Sequence, residues 1–133
     1  MPKVTYTNKK GLTTESGTGF IVKGAAILNQ GAQISGAFYS GVSTITAAAT
    51  ASDAPLGHGP VQLVDSGDDA HKVQLPSAKD AGQLLIVRNV DSGQDVVIRN
   101  NADDATVVTL GEGKTAILVS TASGDNWSGS QVD

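Results

Sequence analysis

The sequence predicts an all-β protein, a small antiparallel β-sandwich or barrel that follows an extended N-terminal arm. In the second half of the 133-residue chain, short apolar runs recur at a spacing of roughly 10–12 residues, which is typical of sandwiches and barrels. Turn-forming residues separate these runs, and the chain contains 16 glycines, which disfavour long helices. With an apolar content of 39%, the chain can still form a folded core.

Composition divides the chain into an arm, residues 1–55, and a β-domain, residues 56–133. Residues 1–50 carry a net charge of +3, from four lysines and Glu15, whereas residues 51–133 carry a net charge of −7. Together they account for the net charge of −4 of the whole chain. This asymmetry indicates two parts with different partners, although the acidic part also fits an ordinary soluble surface.

The arm is predicted to be extended rather than helical. The sequence VTYT at residues 4–7 alternates and predicts a short strand. Residues 18–42 carry apolar clusters interrupted by glycine, which indicates extended chain and short strands ordered by contact with something else, or alternatively an independent subdomain. Residues 43–54 fit a strand or a short helical turn. Residues 54–60 contain two prolines and two glycines and therefore predict a linker or turn.

Five apolar runs predict the strands of the β-domain, and they begin at Val61, Leu84, Val96, Val107 and Ala116. The sequence VDSG occurs at residues 64–67 and again at residues 90–93, and each copy ends an apolar run with residues that suit a turn. In LLIV and AILV the apolar residues are consecutive rather than alternating, so both faces of these strands should be covered.

The core formed by these runs is expected to be aliphatic, because four of the five aromatic residues lie in the first 39 positions. A small domain with such a core is marginally stable by itself. We therefore expect one face of the strands to meet the core and the other to meet a neighbouring copy. The remaining aromatic residue, Trp127, is expected to cap an open end of the core with its N–H bonded to a partner, or alternatively to be exposed and to stack on a ligand.

No motif predicts catalysis, a cofactor or a bound metal. The sequence GEGK at residues 111–114 lacks the earlier glycine of a phosphate-binding loop and precedes a strand-like segment, so it predicts a tight turn. His58 and His71 lack the spacing of a zinc site, and the acidic pairs at residues 68–69 and 103–104 lack that of an EF-hand calcium loop. No GxSxG motif is present, whereas a glycosidase-type pair of carboxylates is a three-dimensional property that the sequence leaves open.

Composition also argues against nucleic-acid and membrane partners. The β-domain is acidic and lacks interleaved arginine and aromatic residues, which disfavours binding to nucleic acid. No apolar run approaches the roughly 18–20 residues that cross a bilayer, and no apolar segment of a signal peptide follows the charged N-terminus. The chain has no cysteine, so it forms no disulfide.

Residues 73–127 resemble the β-domains that recur in virion proteins of tailed bacteriophages. The shared pattern is a valine-led run that ends at Pro76, a strand that leads from Gly82 to Asn89, a valine-rich strand at residues 96–98, an apolar segment at residues 110–119 and a final Gly124 to Trp127. Similar domains occur in capsid decoration proteins, head fibres and tail-fibre segments. The pattern contains no catalytic residue.

A short chain with a basic, glycine-rich N-terminal segment and one β-domain suits a capsid decoration, or cement, protein. The resemblance implies homotrimers at local threefold sites on the capsid surface of the virion, with the major capsid protein as partner. The alternatives are a head or tail fibre component that contacts the host cell and, from another class, an extracellular carbohydrate-binding or lytic module. The residues expected to contact the capsid are Lys3, Tyr6, Lys9, Lys10, Phe20, Lys23, Phe38 and Tyr39. Those expected in the subunit interface or the core are Leu84, Leu85, Ile86, Val87, Ile117, Leu118, Val119 and Trp127.

Overall fold

The computed structural model describes residues 4–7, 11–14 and 41–132. The chain divides into two units, residues 1–37 and residues 38–133. In the first unit, β1 (Val4–Thr7) and β2 (Gly11–Thr14) form an antiparallel hairpin, which confirms the strand predicted from VTYT. The backbone of Tyr6 pairs with Leu12 in this hairpin. The other predicted capsid contacts lie outside the described residues: Lys3, Lys9, Lys10, Phe20, Lys23, Phe38 and Tyr39.

The second unit is a β-sandwich of two sheets, which confirms the predicted all-β fold. Its strands are β3 (Val42–Thr46), β4 (Val61–Asp65), β5 (His71–Gln74), β6 (Leu84–Asn89), β7 (Val96–Arg99), β8 (Thr106–Leu110), β9 (Thr115–Ser120) and β10 (Trp127–Val132). A five-stranded sheet has the order β10-β9-β6-β4-β3, and a three-stranded sheet has the order β5-β7-β8. Among the described residues, no helix has the length and apolar character needed to cross a membrane.

The sheets are mixed, whereas the sequence predicted antiparallel pairing. Strand β4 pairs in parallel with β3 and β6, and β5 pairs in parallel with β7. For the pairs β4–β6 and β5–β7 the cause is the path of the chain, which alternates between the two sheets from β4 to β7. Between β4 and β6 the chain passes through β5 of the other sheet, and between β5 and β7 it passes through β6. It reverses direction at each passage, so the two strands of each pair run in the same direction. The pairs β6–β9, β9–β10 and β7–β8 are antiparallel, as predicted.

The core between the sheets is aliphatic and closed at one end by Trp127. Its largest fully buried apolar side chains are Leu75, Leu85, Ile98, Leu110 and Leu118. The core also contains Ala47 and Ala54, while Ala51 is buried in a short 3-10 turn, Ala51–Asp53, that follows β3. Residues 42–54 are thus part of the sandwich, because β3 pairs with β4 and because Ala47 and Ala54 are buried in the core. The second unit thus includes residues 42–54, which the sequence analysis assigned to the arm.

The two VDSG segments form neighbouring turns. Because β4 and β6 are parallel, their C-terminal ends meet, and the N–H of Val90 donates to the carbonyl of Val64 over 2.8 Å. The buried Ser66 hydroxyl donates to a carboxylate oxygen of Asp91, also over 2.8 Å. This bond, helped by the N–H groups of residues 92 and 93, holds the pKa of Asp91 below its ordinary value against a smaller opposing effect of desolvation.

Asn89 anchors the second of these turns from inside the core. Its buried side-chain amide donates to the carbonyls of Gln94, Leu110 and Gly111 over 2.7, 3.3 and 3.2 Å, and its side-chain oxygen accepts the N–H of Asp91 over 3.0 Å. A buried amide must be hydrogen-bonded to be tolerated, and here every bond is made to backbone. The side chain therefore holds the β6–β7 turn against the end of β8.

Candidate interaction surface

The face of the five-stranded sheet that is turned away from the core is apolar across its central strands. We call this side the outer face; it carries alternate residues of β3, β4, β6, β9 and β10. The strand register places Val42, Val61, Ile86 and Ile117 side by side in one row, which ends at Ser130 of β10. The apolar members of the outer face are Val42, Val61, Leu63, Leu84, Ile86, Ile117, Val119 and Val132.

Five of these eight side chains are exposed to solvent, and the other three, Val61, Leu63 and Ile86, are half-buried. The exposed fractions are 58% for Val42, 47% for Leu84, 43% for Ile117 and 41% for Val119. Full burial of such a side chain stabilises by about 1.5–3 kcal/mol, so covering the exposed half of each contributes about 1 kcal/mol. Burial of the outer face by a partner would therefore contribute several kcal/mol to the free energy of binding.

The corresponding face of the three-stranded sheet provides an internal comparison, because it is predominantly polar. Its central row is Lys72, Val97 and Thr109, and the next row contains Gln74 and Arg99. A sheet with one buried and one solvated face normally has this alternation of apolar and polar residues. The outer face of the five-stranded sheet departs from the rule, and contiguous apolar surface of that kind marks interaction sites.

Polar residues border the apolar centre of the outer face. The charged members are Asp65 and Arg88, which lie at the end of the face nearest the VDSG turns. The edge strands contribute hydroxyl groups at outward positions, namely Thr44 and Thr46 of β3 and Ser128 and Ser130 of β10. An apolar centre with a polar rim is the usual anatomy of a protein–protein interface.

The eight residues predicted for the interface or core separate into two sets. Those in the core are Leu85, Val87, Leu118 and Trp127. Those on the outer face are Leu84, Ile86, Ile117 and Val119. The sequence prediction missed Val42, Val61, Leu63 and Val132 as members of this face. Val61 and Leu63 could have been found from the run VQLV, whereas Val42 and Val132 stand among polar residues and join the face only through strand register.

Trp127 caps the core, as predicted. It is only 8% exposed, and its indole N–H donates to the carbonyl of Pro76 over 2.8 Å. This burial contradicts the alternative of an exposed tryptophan that stacks on a ligand. The preceding turn is fixed by Asp125, whose carboxylate accepts the side-chain amide of Asn100 over 2.8 Å and the N–H of Ala102 over 3.1 Å. The β9–β10 turn is thereby tied to the β7–β8 turn.

Two of the segments that the sequence analysis weighed as binding sites, GEGK and His58, lie in hydrogen-bonded turns and loops. The GEGK sequence forms the tight turn predicted between β8 and β9, with Gly113 at φ +63° and a bond of 3.2 Å from the N–H of Lys114 to the carbonyl of Gly111. The side-chain amide of Gln83 donates to Nδ1 of His58 over 3.2 Å. Within residues 41–132, no group of three or more histidine and acidic side chains is placed to hold a metal ion.

Comparison of the chain with protein-family models, with curated proteins and with solved structures finds no match. The function proposed below therefore rests on the residue pattern and geometry of the chain itself.

Proposed function

We propose that this chain is a non-enzymatic structural protein of a tailed-bacteriophage virion. It acts as a capsid decoration, or cement, protein that forms homotrimers on the head and stabilises it by binding the lattice of the major capsid protein. The observation that carries the proposal is the structural role of the key residues in the pattern that resembles virion β-domains: they hold this fold together.

These residues stabilise turns and connections of the sandwich. Pro76 and Trp127, near the two ends of the pattern, are joined by a hydrogen bond. Gly82 and Gly124 have φ angles of +83° and +84°, a region that other residues rarely adopt. Asn89 is the buried anchor of the β6–β7 turn. The pattern therefore describes a scaffold, which supports a structural rather than a catalytic role.

The same geometry disfavours the carbohydrate-binding alternative. Sugar-binding sites generally present an aromatic ring on which a sugar can stack. Trp127 is the one aromatic residue within positions 41–132, and its ring is buried in the core. This part of the chain therefore offers no aromatic platform, which supports the virion role over a sugar-binding module.

The basic N-terminal segment is the proposed capsid-binding part. Because residues 42–54 belong to the β-domain, the arm is confined to residues 1–40, which contain Lys3, Lys9, Lys10 and Lys23. A trimer presents three such arms, so three weak contacts with the capsid lattice combine into one strong attachment. Cementing of the head follows when those contacts bridge neighbouring capsid subunits.

The test uses heads of the encoding phage that have been assembled without this chain. We expect the full chain to pellet with the heads at a saturable ratio, and cryo-EM to place three copies at each occupied threefold site. Failure of the full chain to bind heads would overturn the proposal, and binding to host cells or glycans instead would favour a fibre component.

Two further variants test the role of the arm. A chain without residues 1–40 should remain a folded oligomer that no longer pellets with heads. Lys9→Glu combined with Lys10→Glu should weaken head binding, whereas Lys79→Glu, at an exposed position of the β-domain, should not. Full occupancy by the truncated chain would show that the arm is not the capsid-binding part.

A further inference from the structure

We infer that the outer face of the five-stranded sheet is the surface through which copies of this chain associate, with the same face of each copy turned toward a shared symmetry axis. This inference deepens the proposed function and rests on it only for the number of copies, which is three. The occupant of the face is a second copy of the chain rather than a different protein.

The first reason is that, within residues 41–132, the core of the sandwich is complete without the outer row. The core is completed by the inward residues of the same strands, among them Leu85, Val87 and Leu118, which are fully buried. Ile86 and Ile117 alternate with these residues and point to the other side. At a solvent-exposed strand position threonine would favour the sheet as well as isoleucine does, and Thr109 holds such a position in the three-stranded sheet. The apolar character of Ile86 and Ile117 therefore indicates that a partner covers them.

The second reason is size. Five strands about 4.8 Å apart, each presenting about five residues at about 3.3 Å, span about 400 Å² in projection. A standard stable interface buries about 800 Å² on each partner, of which the apolar centre is only a part. The outer face, with its hydroxyl-bearing edges included, therefore spans in projection about half of such an interface and can supply its apolar centre.

The third reason is charge, and it selects a second copy as the occupant. Residues 51–133 carry a net charge of −7, so copies of the β-domain repel one another over most approaches. On the outer face the charged residues are Asp65 and Arg88, whose charges cancel, and both lie at one end. Close approach of identical acidic domains across this face is thus not opposed by a net charge of the face itself. An uncharged surface of aliphatic side chains is also complementary to itself.

Symmetry then defines the arrangement. In a closed ring every copy presents the same surface in the same relation to the axis. The row that contains Val61, Ile86 and Ile117 crosses the middle strands of the sheet. When the sheets of three copies face the axis, these side chains meet those of the neighbours, and the β3 and β10 edges lie at the periphery.

Cross-linking through a single introduced cysteine tests which surface is shared. The chain has no cysteine of its own, so a thiol-specific bismaleimide can join only the introduced positions. Ile117→Cys should give covalent dimers on a denaturing gel at micromolar protein concentration. Thr109→Cys, at an exposed position on the polar face of the other sheet, is the matched control and should give at least tenfold less. Equal cross-linking at both positions would overturn the inference.

Mass photometry and sedimentation of the full chain supply the second measurement. The wild-type chain should be oligomeric, and Ile117→Lys should raise the concentration for half-assembly at least tenfold, while Thr109→Lys leaves it unchanged. Ile117→Thr, a smaller change, should weaken assembly less than the lysine. Circular dichroism checks that each variant is folded.

The outcomes separate this inference from the proposed function. A wild-type monomer at these concentrations, or an Ile117→Lys variant that assembles like wild type, would overturn the assignment of the face. Heads decorated by such a variant at full occupancy would leave the capsid role standing. Conversely, an oligomer that Ile117→Lys disrupts but that never binds heads supports the interface and refutes the capsid role.

Discussion

The burial of Trp127 leads to a prediction that separates two contributions to stability. Trp127→Phe keeps an aromatic ring in the end of the core but removes the N–H that donates to the carbonyl of Pro76. Trp127→Ala removes both the ring and the donor. Ser128→Ala, one residue further along β10 at an exposed position, changes neither and is the matched control.

The expected magnitudes follow from these contacts. Leaving the carbonyl of Pro76 without its donor costs about 1–3 kcal/mol. The smaller phenyl ring forfeits about 1 kcal/mol more of apolar burial, so Trp127→Phe should lower the free energy of unfolding by about 2–4 kcal/mol. Truncation of a buried tryptophan to alanine costs about 3–5 kcal/mol. Each loss is a large share of the 5–15 kcal/mol that typically stabilises a domain.

Far-UV circular dichroism during thermal and urea unfolding measures these losses. All variants must be compared at one protein concentration, because association of copies makes Tm depend on concentration. For a domain of this size, Trp127→Phe should lower Tm by about 10–20 °C. The control should stay within about 0.5 kcal/mol of wild type. A Trp127→Phe variant as stable as wild type would refute the role of the hydrogen bond, and an equally stable Trp127→Ala would refute the end cap itself.

Three further predictions concern the backbone and the turns. Gly129→Ala would place a Cβ 2.5 Å from a backbone carbonyl oxygen of β9, so urea unfolding should show a loss of about 1–3 kcal/mol, while Gly93→Ala, where a Cβ meets open space, should cost far less. Equal losses would contradict the close approach. Asn89→Leu removes the donor to three carbonyls and should cost about 3 kcal/mol; unchanged stability would show those bonds to be dispensable. Ser66→Ala should raise the pKa of Asp91 toward its ordinary value, as followed by NMR titration. A lowered carboxyl pKa gives stability that is present above the unfolded-state pKa and lost as pH falls through the folded-state pKa, so this variant should lose less stability across that window. An unchanged pKa would contradict the role of the Ser66 hydroxyl.

Strand positions could be predicted from the sequence because their determinants are local. Runs that begin at Val61, Leu84 and Val96 begin strands at those same residues, since each is preceded by turn-forming residues and consists of β-branched or aliphatic side chains. Strand direction is not local. The same apolar run can be paired in parallel or antiparallel, and β4 and β6 became parallel only because the chain enters the other sheet between them.

The packing of residues 42–54 in the sandwich could not be predicted from the sequence, for a related reason. Residues 42–54 contain no long apolar run, and Ala47, Ala51 and Ala54 carry too little apolar surface to indicate burial by themselves. They are nevertheless buried, with exposed fractions of 4%, 0% and 1%. Small residues in a core are selected by the shape of the surrounding structure, which a single sequence does not display.

The sequence predicted that β6 and β9 carry apolar residues on both sides, but it did not predict which other strands extend the apolar outer face. Consecutive apolar residues in LLIV and AILV require that both sides of β6 and β9 be apolar, whichever side turns inward. The row that joins them to Val61 and Val42 depends on the register between strands that are distant in sequence. Register is a property of the assembled sheet, so the width of the face could be found only in three dimensions.

The edges of the five-stranded sheet bear on why its apolar face need not cause uncontrolled aggregation. An exposed, apolar edge strand invites further strands to pair with it. Here the outward positions of the edge strands are largely hydroxyl-bearing, with Thr44 and Thr46 on one side and Ser128 and Ser130 on the other. Six of the eight apolar residues of the outer face therefore lie on the middle strands, and each edge strand contributes only one, Val42 or Val132. Burial of such a surface favours closed, face-to-face packing of a few copies over edge-to-edge growth, which is the behaviour that the proposed homotrimer requires.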